Sequence, residues 1–197
     1  KEEKSLPFEM KVFIDDRNAY FKYDNIGTFL SDLENKFGYT IVSAYRDGVS
    51  TYNLSYLKNF SFFMLPNPSY GDLSADEQQA IIDYINTTNG VAIIMGDKDK
   101  YIRIDTLNNI ATAFGVEFLY GNVTDPTDYD YNEENPIAHV WTNAYIAQLI
   151  SNNGQYRVKM GTCTSLNISN PALNGTWMYA YILATGDDDT HFNNEVW

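Results

Sequence analysis

Acidic and amide side chains follow several predicted strands of this chain, close to the point where each strand ends. Asp15 and Asp16 follow the apolar run "MKVFI", Asn67 follows "FSFFML", and Asp97 comes shortly after "VAIIM". In an open α/β sheet the carboxyl ends of parallel strands share one edge, and ligands bind there. Carboxylate and amide oxygens are the ligands that Mg²⁺ and Ca²⁺ prefer. This edge is therefore a candidate site for a divalent cation or a small polar ligand, formed by Asp15, Asp16, Arg17, Asn67, Asp97 and Asp99.

A structural role is the interpretation that we favour for the same side chains, because Asp and Asn at strand ends often cap the loops and helices that follow. Two known aspartate chemistries are not matched. A phosphoacceptor site needs an aspartate at the end of the third strand, where this chain has Pro66-Asn67. A haloacid-type phosphatase needs Asp-x-Asp after the first strand, where this chain has Asp15-Asp16-Arg17. A metal-assisted hydrolase that uses the strand-end aspartates stays open.

A second candidate metal site lies in the acidic segment "GNVTDPTDYDYNEENP". Asp128, Asp130 and Asn132 place oxygens at the first, third and fifth positions of a calcium loop. The rest of that pattern fails, because Glu133 stands at the glycine position and His139 at the position of the bidentate glutamate. Ca²⁺ binding and a solvated acidic loop are both open here. The aromatic residues that could stack on a sugar or a protein partner in this region are Tyr129, Tyr131, Trp141 and Tyr145.

The single cysteine, Cys163, lies in the frame Gly161-Thr-Cys163-Thr-Ser165, which is close to a nucleophile elbow. An elbow needs a helix directly after the nucleophile, because the helix N-terminus lowers the thiol pKa. The segment "LNISNPALNG" that follows contains Pro171 and does not predict a helix. We expect Cys163 to be a small buried residue of a strand.

The hydrophobic pattern predicts strands that alternate with helices over the first 120 residues. Apolar residues recur at helical spacing from Ile26 to Phe37, with Asp24 or Asn25 as the cap and Gly38 as the stop. Ser74-Ala-Asp-Glu77 is a capping box that begins another helix. The continuous apolar run 91–95 is typical of a parallel strand that is covered on both faces. The alternation predicts an α/β fold with a doubly wound, mostly parallel sheet and helices on both faces. The predicted strands cover residues 10–14, 40–45, 60–65, 91–95 and 116–120.

The pattern changes after residue 120. A helix is predicted over 143–151, and two β-like runs over 155–168 and 177–185 suggest an antiparallel pair at the sheet edge or in a small lobe. We expect a single domain over residues 1–197, with a parallel α/β core at 10–120. Residues 121–197 would add the acidic loop, a helix and an antiparallel β extension.

The segments "KVFIDD", "LPNPSYGDLSADEQQAIIDYINTTNGVAIIMGD" and "LNNIATAFGVEF" resemble the glutamine amidotransferase-like superfamily, which is flavodoxin-like in fold. The nearest likeness is to uncharacterised, non-enzymatic branches found in large exported bacterial and archaeal proteins. Active members of the superfamily carry a cysteine in a Gly-x-Cys-x-Gly elbow after a central strand. The matching position here, in Met95-Gly96-Asp97-Lys98, is Asp97. The resemblance therefore implies a scaffold without the amidotransferase nucleophile.

The net charge of −13 limits the classes of partner. Such a chain repels phosphate backbones, so we do not expect nucleic acid to bind, and no apolar run approaches the ~18 residues of a membrane span. We expect a non-catalytic ligand- or protein-binding module of a larger exported, cell-surface or periplasmic protein. Its partner would be a protein or a glycan, foremost other domains of the same polypeptide. A metal-assisted hydrolase and a carbohydrate-contacting module are the alternatives.

Overall fold

The structure is a computed structural model of the 197-residue chain. The part of the chain that it describes comprises residues 10–20, 22–88, 91–97, 102–127 and 131–132 and several short strands between 137 and 196. The chain forms two compact units: residues 1–96 with 101–113, and residues 97–100 with 114–197. The helix predicted over 143–151 and Cys163 lie outside the described residues.

The first unit is built on a four-stranded parallel sheet in the order β2-β1-β3-β4. Its strands are β1 (Lys11–Ile14), β2 (Thr40–Ser43), β3 (Phe62–Leu65) and β4 (Val91–Ile94). The chain passes from β1 to β2 on one side and then crosses over β1 to form β3 and β4 on the other. This is the strand order of the flavodoxin-like doubly wound arrangement. The α/β fold predicted from the sequence is confirmed.

Helices connect these strands as the sequence predicts. They are α1 (Gly27–Phe37), α2 (Leu54–Leu57), α3 (Ala75–Thr87) and α4 (Ile104–Ala111), with 3-10 turns before α1 and after α4. The predicted capping box at α3 is present: the Ser74 hydroxyl accepts from the Glu77 amide, and the Glu77 carboxylate accepts from the Ser74 amide at 3.0 Å.

The predicted cap of α1 is wrong. Asp24 and Asn25 lie inside the 3-10 turn Tyr23–Ile26, and the residue before α1 is Ile26, which has no side chain able to cap. Asn25 Oδ1 instead accepts a hydrogen bond of 2.9 Å from the Lys22 amide. The asparagine therefore stabilises the start of the 3-10 turn, which the hydrophobic spacing alone does not distinguish from the first turn of the helix.

Alternate residues of β1 and β3 build separate cores on the two faces of the sheet, as the period of two in a strand requires. On one face Val12, Ile14 and Met64 pack with Leu30 of α1. On the other face the ring of Phe13 lies 5.2 Å from the rings of Tyr52 and Tyr56 and 5.3 Å from that of Phe60 (centroid distances). Helices therefore cover both faces of the central strands.

The prediction that β4 is covered on both faces is wrong. Val91 and Ile93 are 58% and 36% exposed, although Phe62 and Met64 beside them are buried. The reason is position in the sheet: β4 is the last strand in the order, so it lacks a neighbour on its outer side within this sheet. A run of apolar residues does not separate a central strand from such an edge strand.

The strands of the second unit are short and pair in antiparallel fashion. β5 (Val116–Phe118) forms at the predicted place, but it pairs with β9 (Leu166–Ile168) rather than extending the run of parallel strands. The other described strands of this unit are β6 (Val123–Thr124), β7 (Ile137–Val140), β8 (Arg157–Lys159), β10 (Ala184–Thr185), β11 (His191–Phe192) and β12 (Glu195–Val196). The two predicted C-terminal runs do not pair with each other among the described residues; instead, β8 and β10 both pair with β7.

The end of α1 provides a test of how local sequence determines this fold. Gly38 has φ +72° and its amide donates to the Glu34 carbonyl, so Gly38→Ala should lower the free energy of unfolding by about 1–2 kcal/mol. Gly27→Ala is the matched control, because Gly27 is helical and nothing lies within 4 Å of an added Cβ. It should be neutral or stabilising by about 0.4–1 kcal/mol. Urea denaturation followed by circular dichroism measures both, and equal effects would contradict the left-handed stop.

Candidate functional site

The candidate site lies at the switch point of the sheet, where the loops after β1 and β3 leave in opposite directions. Asp15, Asp16 and Arg17 begin the first loop, and Asn67 lies in the second. The Asp15 amide donates to the Met64 carbonyl of β3, and the Tyr20 amide donates to the Asn67 carbonyl at 3.0 Å. The structure thus brings these predicted site residues together.

The Asp15 carboxylate is buried and is held by two side chains. Oδ1 accepts from Arg17 Nε at 2.8 Å and Oδ2 accepts from Arg17 Nη2 at 2.8 Å, which forms a bidentate ion pair. Oδ2 also accepts from the Tyr52 hydroxyl at 2.8 Å. Burial and the neighbouring Asp15 charge both raise the pKa of Tyr52 well above its usual value, so this phenol remains a donor. Asp15 is therefore occupied by contacts within the protein.

Arg17 joins Asp15 to the start of α3. Its Nη2 lies 2.8 Å from Glu77 Oε1, its Nη1 donates to the Ser50 carbonyl, and its guanidinium lies 5.0 Å from the centre of the Tyr52 ring. The contact with Glu77 is an ion pair by distance but not a well-aligned hydrogen bond, because Oε1 accepts no hydrogen bond of good geometry. The hydrogen bonds with Asp15 raise the pKa of Arg17 further above its usual range. Arg17 therefore stays charged as the centre of this network.

Glu77 has two tasks at this place. Its Oε2 accepts from the Ser74 amide at 3.0 Å and from the Ser74 hydroxyl at 2.8 Å, which completes the capping box, while Oε1 faces Arg17. Burial on its own would raise the pKa of Glu77. The hydrogen bonds from Ser74 and the charge of Arg17 outweigh burial and lower this pKa below its usual value. The carboxylate form is thus the one that stabilises the fold.

Asp16 is fully buried and is surrounded by donors. The Ser43 hydroxyl lies 2.9 Å from both carboxylate oxygens, the Tyr45 amide donates to Oδ1 at 2.9 Å, and the Tyr23 amide donates to Oδ2 at 3.0 Å. These donors come from the end of β2 and from the 3-10 turn before α1. Asp16 therefore connects three segments of the chain, which is the structural role that strand-end aspartates often have.

Asn67 is buried and has φ +35°, a left-handed conformation that non-glycine residues rarely adopt. Its amide donates to the Met95 carbonyl at 3.2 Å, and the Ser69 hydroxyl donates to its backbone carbonyl at 3.2 Å. The turn directs the chain back toward the β1 loop, where the amides of Ser69 and Tyr70 both donate to the Asn18 carbonyl. The two loops of the switch point are therefore joined by backbone hydrogen bonds.

Aromatic side chains lie on the outside of the joined loops. Tyr20 and Tyr70 are 52% and 67% exposed, and their rings stack with centroids 6.4 Å apart at 27°. Tyr45, at the end of β2, is also exposed, and Lys22 Nζ lies 3.7 Å above its ring. The carboxylates of Asp15 and Asp16 thus point inward, whereas Tyr20, Tyr45 and Tyr70 are exposed to the solvent.

The remaining predicted site residues are not assembled in the first unit. Asp97 belongs to the second unit, where it is buried, and Asp99, Asp128 and Asp130 lie outside the described residues. Asn132 is described and is exposed. Within the described ranges, no group of three or more histidine, cysteine, aspartate or glutamate side chains is placed to hold a metal ion. The Mg²⁺ and Ca²⁺ sites stay predictions.

Sequence reasoning missed Ser43, Tyr52 and Glu77 as members of this site. Glu77 was identified as a helix cap, but nothing in its spacing indicates that it also reaches Arg17. Ser43 ends β2, as Asp15 follows β1, so its position at a carboxyl strand end was the available signal. Tyr52 lies 37 residues from Asp15 in sequence, and no local pattern pairs them.

Comparison with known proteins gives a fold but no family. No family model matches the sequence, and no curated protein matches it significantly. Among solved structures the chain is similar to the mmIFT52 N-terminal domain, with a TM-score of 0.66 and 14% sequence identity. The match covers 82% of this chain and 69% of that one. At this identity the similarity concerns the α/β fold alone. Among the described helices, none has the length and apolar character needed to cross a membrane.

The contacts of Asp16 predict a large loss of stability when its charge is removed. Asp16→Asn replaces an acceptor oxygen by an NH₂ group that faces amide donors, and it should lower the free energy of unfolding by about 2–4 kcal/mol. Asp24→Asn removes the same charge from an exposed side chain and should change stability by less than about 0.5 kcal/mol. Thermal and urea denaturation measure both variants. If Asp16→Asn left the free energy of unfolding unchanged, the carboxylate would not be needed for the stability of the fold, and the structural role of Asp16 would be wrong.

The lowered pKa of Glu77 predicts a pH dependence. A group whose folded pKa lies below its unfolded value stabilises the fold above the unfolded pKa, and this stabilisation is lost as the pH falls through the folded pKa. The difference in stability between the wild type and Glu77→Gln should therefore be full at neutral pH and shrink below the usual value of 4.5.

Glu34→Gln is the control for this experiment, because Glu34 is exposed in the middle of α1. Urea midpoints at a series of pH values provide the measurement. A difference for Glu77→Gln that does not depend on pH would show that Ser74 and Arg17 together do not favour the carboxylate form of Glu77 in the fold.

Proposed function

We propose that this chain is a non-catalytic binding module of a larger exported or surface protein. Its contact surface is the carboxyl edge of the parallel sheet, and its partner is a protein, foremost other domains of the same polypeptide. The observation that carries this proposal is that the carboxylate oxygens of Asp15 and Asp16 are directed into the fold, where they accept hydrogen bonds from other groups of the chain.

Catalysis by a carboxylate requires an oxygen that can reach a substrate proton, a metal ion or the reacting atom. Asp15 contacts Arg17 and Tyr52 instead, and Asp16 contacts Ser43 and two backbone amides. Releasing either carboxylate would leave a buried charge or several buried donors without partners, which costs several kcal/mol. These contacts support a structural role for both aspartates and give no support to the metal-assisted hydrolase.

The joined loops support a surface rather than a crevice as the place of binding. Doubly wound sheets hold small ligands where the loops of the switch point separate. Here the Asn18 carbonyl accepts from the amides of Ser69 and Tyr70, and Ala19 forms a β-bridge with Pro68. Because the backbones of the two loops meet, their outer side chains form one continuous surface with Tyr20 and Tyr70 exposed on it. Exposed aromatic rings are enriched where proteins contact each other.

One further observation is in keeping with a module. The resemblance to amidotransferase-like domains implies that Asp97 stands where a cysteine nucleophile would be. The carbohydrate-contacting alternative depends on the loop around Tyr131, an 85% exposed residue whose aromatic neighbours lie outside the described residues. That alternative stays a prediction.

Site-specific photocrosslinking in the producing cells tests the proposal. The photoreactive residue p-benzoylphenylalanine replaces Tyr70 in one variant and Phe37 in the other. Phe37 is similarly exposed, but it lies at the end of α1 that leads into the amino end of β2, away from the carboxyl edge. We expect a discrete protein adduct, or an internal crosslink to another domain, from position 70 and none from position 37. Equal crosslinking from both positions, or none from position 70, would contradict the proposed surface.

A further inference from the structure

We propose that the stacked pair Tyr20–Tyr70 is a receptor for a basic side chain, an arginine or a lysine, of the protein partner. This inference rests on the proposed function and makes it more specific, because it names the chemistry by which the carboxyl edge recognises its partner. Three properties of the molecule support it: the fixed position of the two rings, the cation contacts of other tyrosines at this edge, and the net charge of the chain.

The two rings are held in place by the backbone of the joined loops. The Tyr20 amide donates to the Asn67 carbonyl at 3.0 Å, and the Tyr70 amide donates to the Asn18 carbonyl at 3.0 Å. At Gly71, directly after Tyr70, an added Cβ would lie 3.0 Å from the Asn18 side chain, so the loops approach each other closely. Because the backbone is ordered before binding, the partner does not bear the entropic cost of ordering these loops.

Every cation–π contact observed among the described residues lies at this same edge. Lys22 Nζ is 3.7 Å from the centre of the Tyr45 ring, and the guanidinium carbons of Arg46 and Arg17 are 4.2 Å and 5.0 Å from the rings of Tyr23 and Tyr52. Tyrosine rings at this edge, of which Tyr45 is exposed and Tyr52 is buried, therefore already attract cations of the chain itself through the negative face of the ring. The pair Tyr20–Tyr70 offers the same chemistry with more than half of each residue exposed.

The net charge of the chain favours a partner with the opposite, positive charge. With 26 acidic and 13 basic residues, the chain as a whole attracts basic segments over a distance of about 8 Å at physiological salt and repels acidic ones. A neutral sugar could also stack on tyrosine, but the negative electrostatic potential of the chain does not attract it. A basic side chain gains from both the field and the ring faces, and this is why we favour it.

The test uses a defined probe and observes the rings directly. The protein is labelled with ¹³C in its tyrosine rings, the signals of Tyr20 and Tyr70 are assigned from Tyr20→Leu and Tyr70→Leu, and the neutral-capped peptide Gly-Arg-Gly-Arg-Gly is added. We expect saturable shifts of both signals at millimolar peptide. Each Leu variant should bind about two- to fivefold more weakly, since an exposed cation–π contact is worth about 0.5–1 kcal/mol.

Two controls separate the ring contact from general attraction. The same peptide with citrulline in place of arginine keeps the planar group but loses the charge, and it should not shift the signals. Phe37→Leu leaves the charge of the protein unchanged and should not change the affinity. The inference is overturned if the citrulline peptide binds equally well, if the Tyr20→Leu and Tyr70→Leu variants bind as tightly as the wild type, or if neither ring signal shifts. If position 70 crosslinks to a protein while the arginine peptide does not bind, the proposed contact surface is supported and the basic side chain as its ligand is ruled out.

Discussion

Two carboxylates buried directly after β1 determine how the carboxyl edge of this protein is organised. A buried charge costs several kcal/mol unless donors surround it, and the donors for Asp15 and Asp16 come from the loop after β1, the 3-10 turn before α1, the end of β2 and the segment before α2. Arg17 extends the network to the first turn of α3 through Glu77. The segments after β1 and β2 and the 3-10 turn before α1 are thus fixed to one another because two acidic side chains have to be satisfied, while backbone hydrogen bonds join the loop after β3 to them.

The same requirement explains why a position that often carries chemistry is structural here. A catalytic carboxylate needs at least one oxygen that is exposed to substrate or metal and is only partly stabilised, so that its pKa can be adjusted to its task. In this protein the pKa values of Arg17 and Tyr52 are both raised, so Arg17 remains charged and the Tyr52 phenol remains a neutral donor. These two partners of Asp15 therefore each keep one protonation state over the neutral pH range, which suits a rigid scaffold.

The features that sequence reasoning predicted correctly are those that depend on near neighbours. The capping box at Ser74, the glycine stop at Gly38 and the alternation of strands with helices each arise within one or two turns of chain. The features it missed or predicted wrongly depend on distant parts of the chain. Tyr52 meets Asp15 because the chain between β2 and β3 crosses over β1, and the exposure of Val91 depends on β4 being the last strand of its sheet. The positions of the candidate site residues could be predicted from strand ends, but their partners, and therefore their role, could not.

The inward direction of the charges has a consequence for the outward surface. Because Asp15, Asp16 and Glu77 are buried and directed into the fold, a cation that approaches this edge meets exposed side chains instead, and these include Asp72 and the ring faces of the exposed tyrosines. Cation–π attraction depends less on exact geometry than a bidentate ion pair does, so specificity has to come from where the rings are held. The backbone bonds between the Asn18 and Asn67 loops hold Tyr20 and Tyr70 in register. The buried acidic network and the exposed aromatic pair are thus parts of one arrangement, in which the first fixes the loops that present the second.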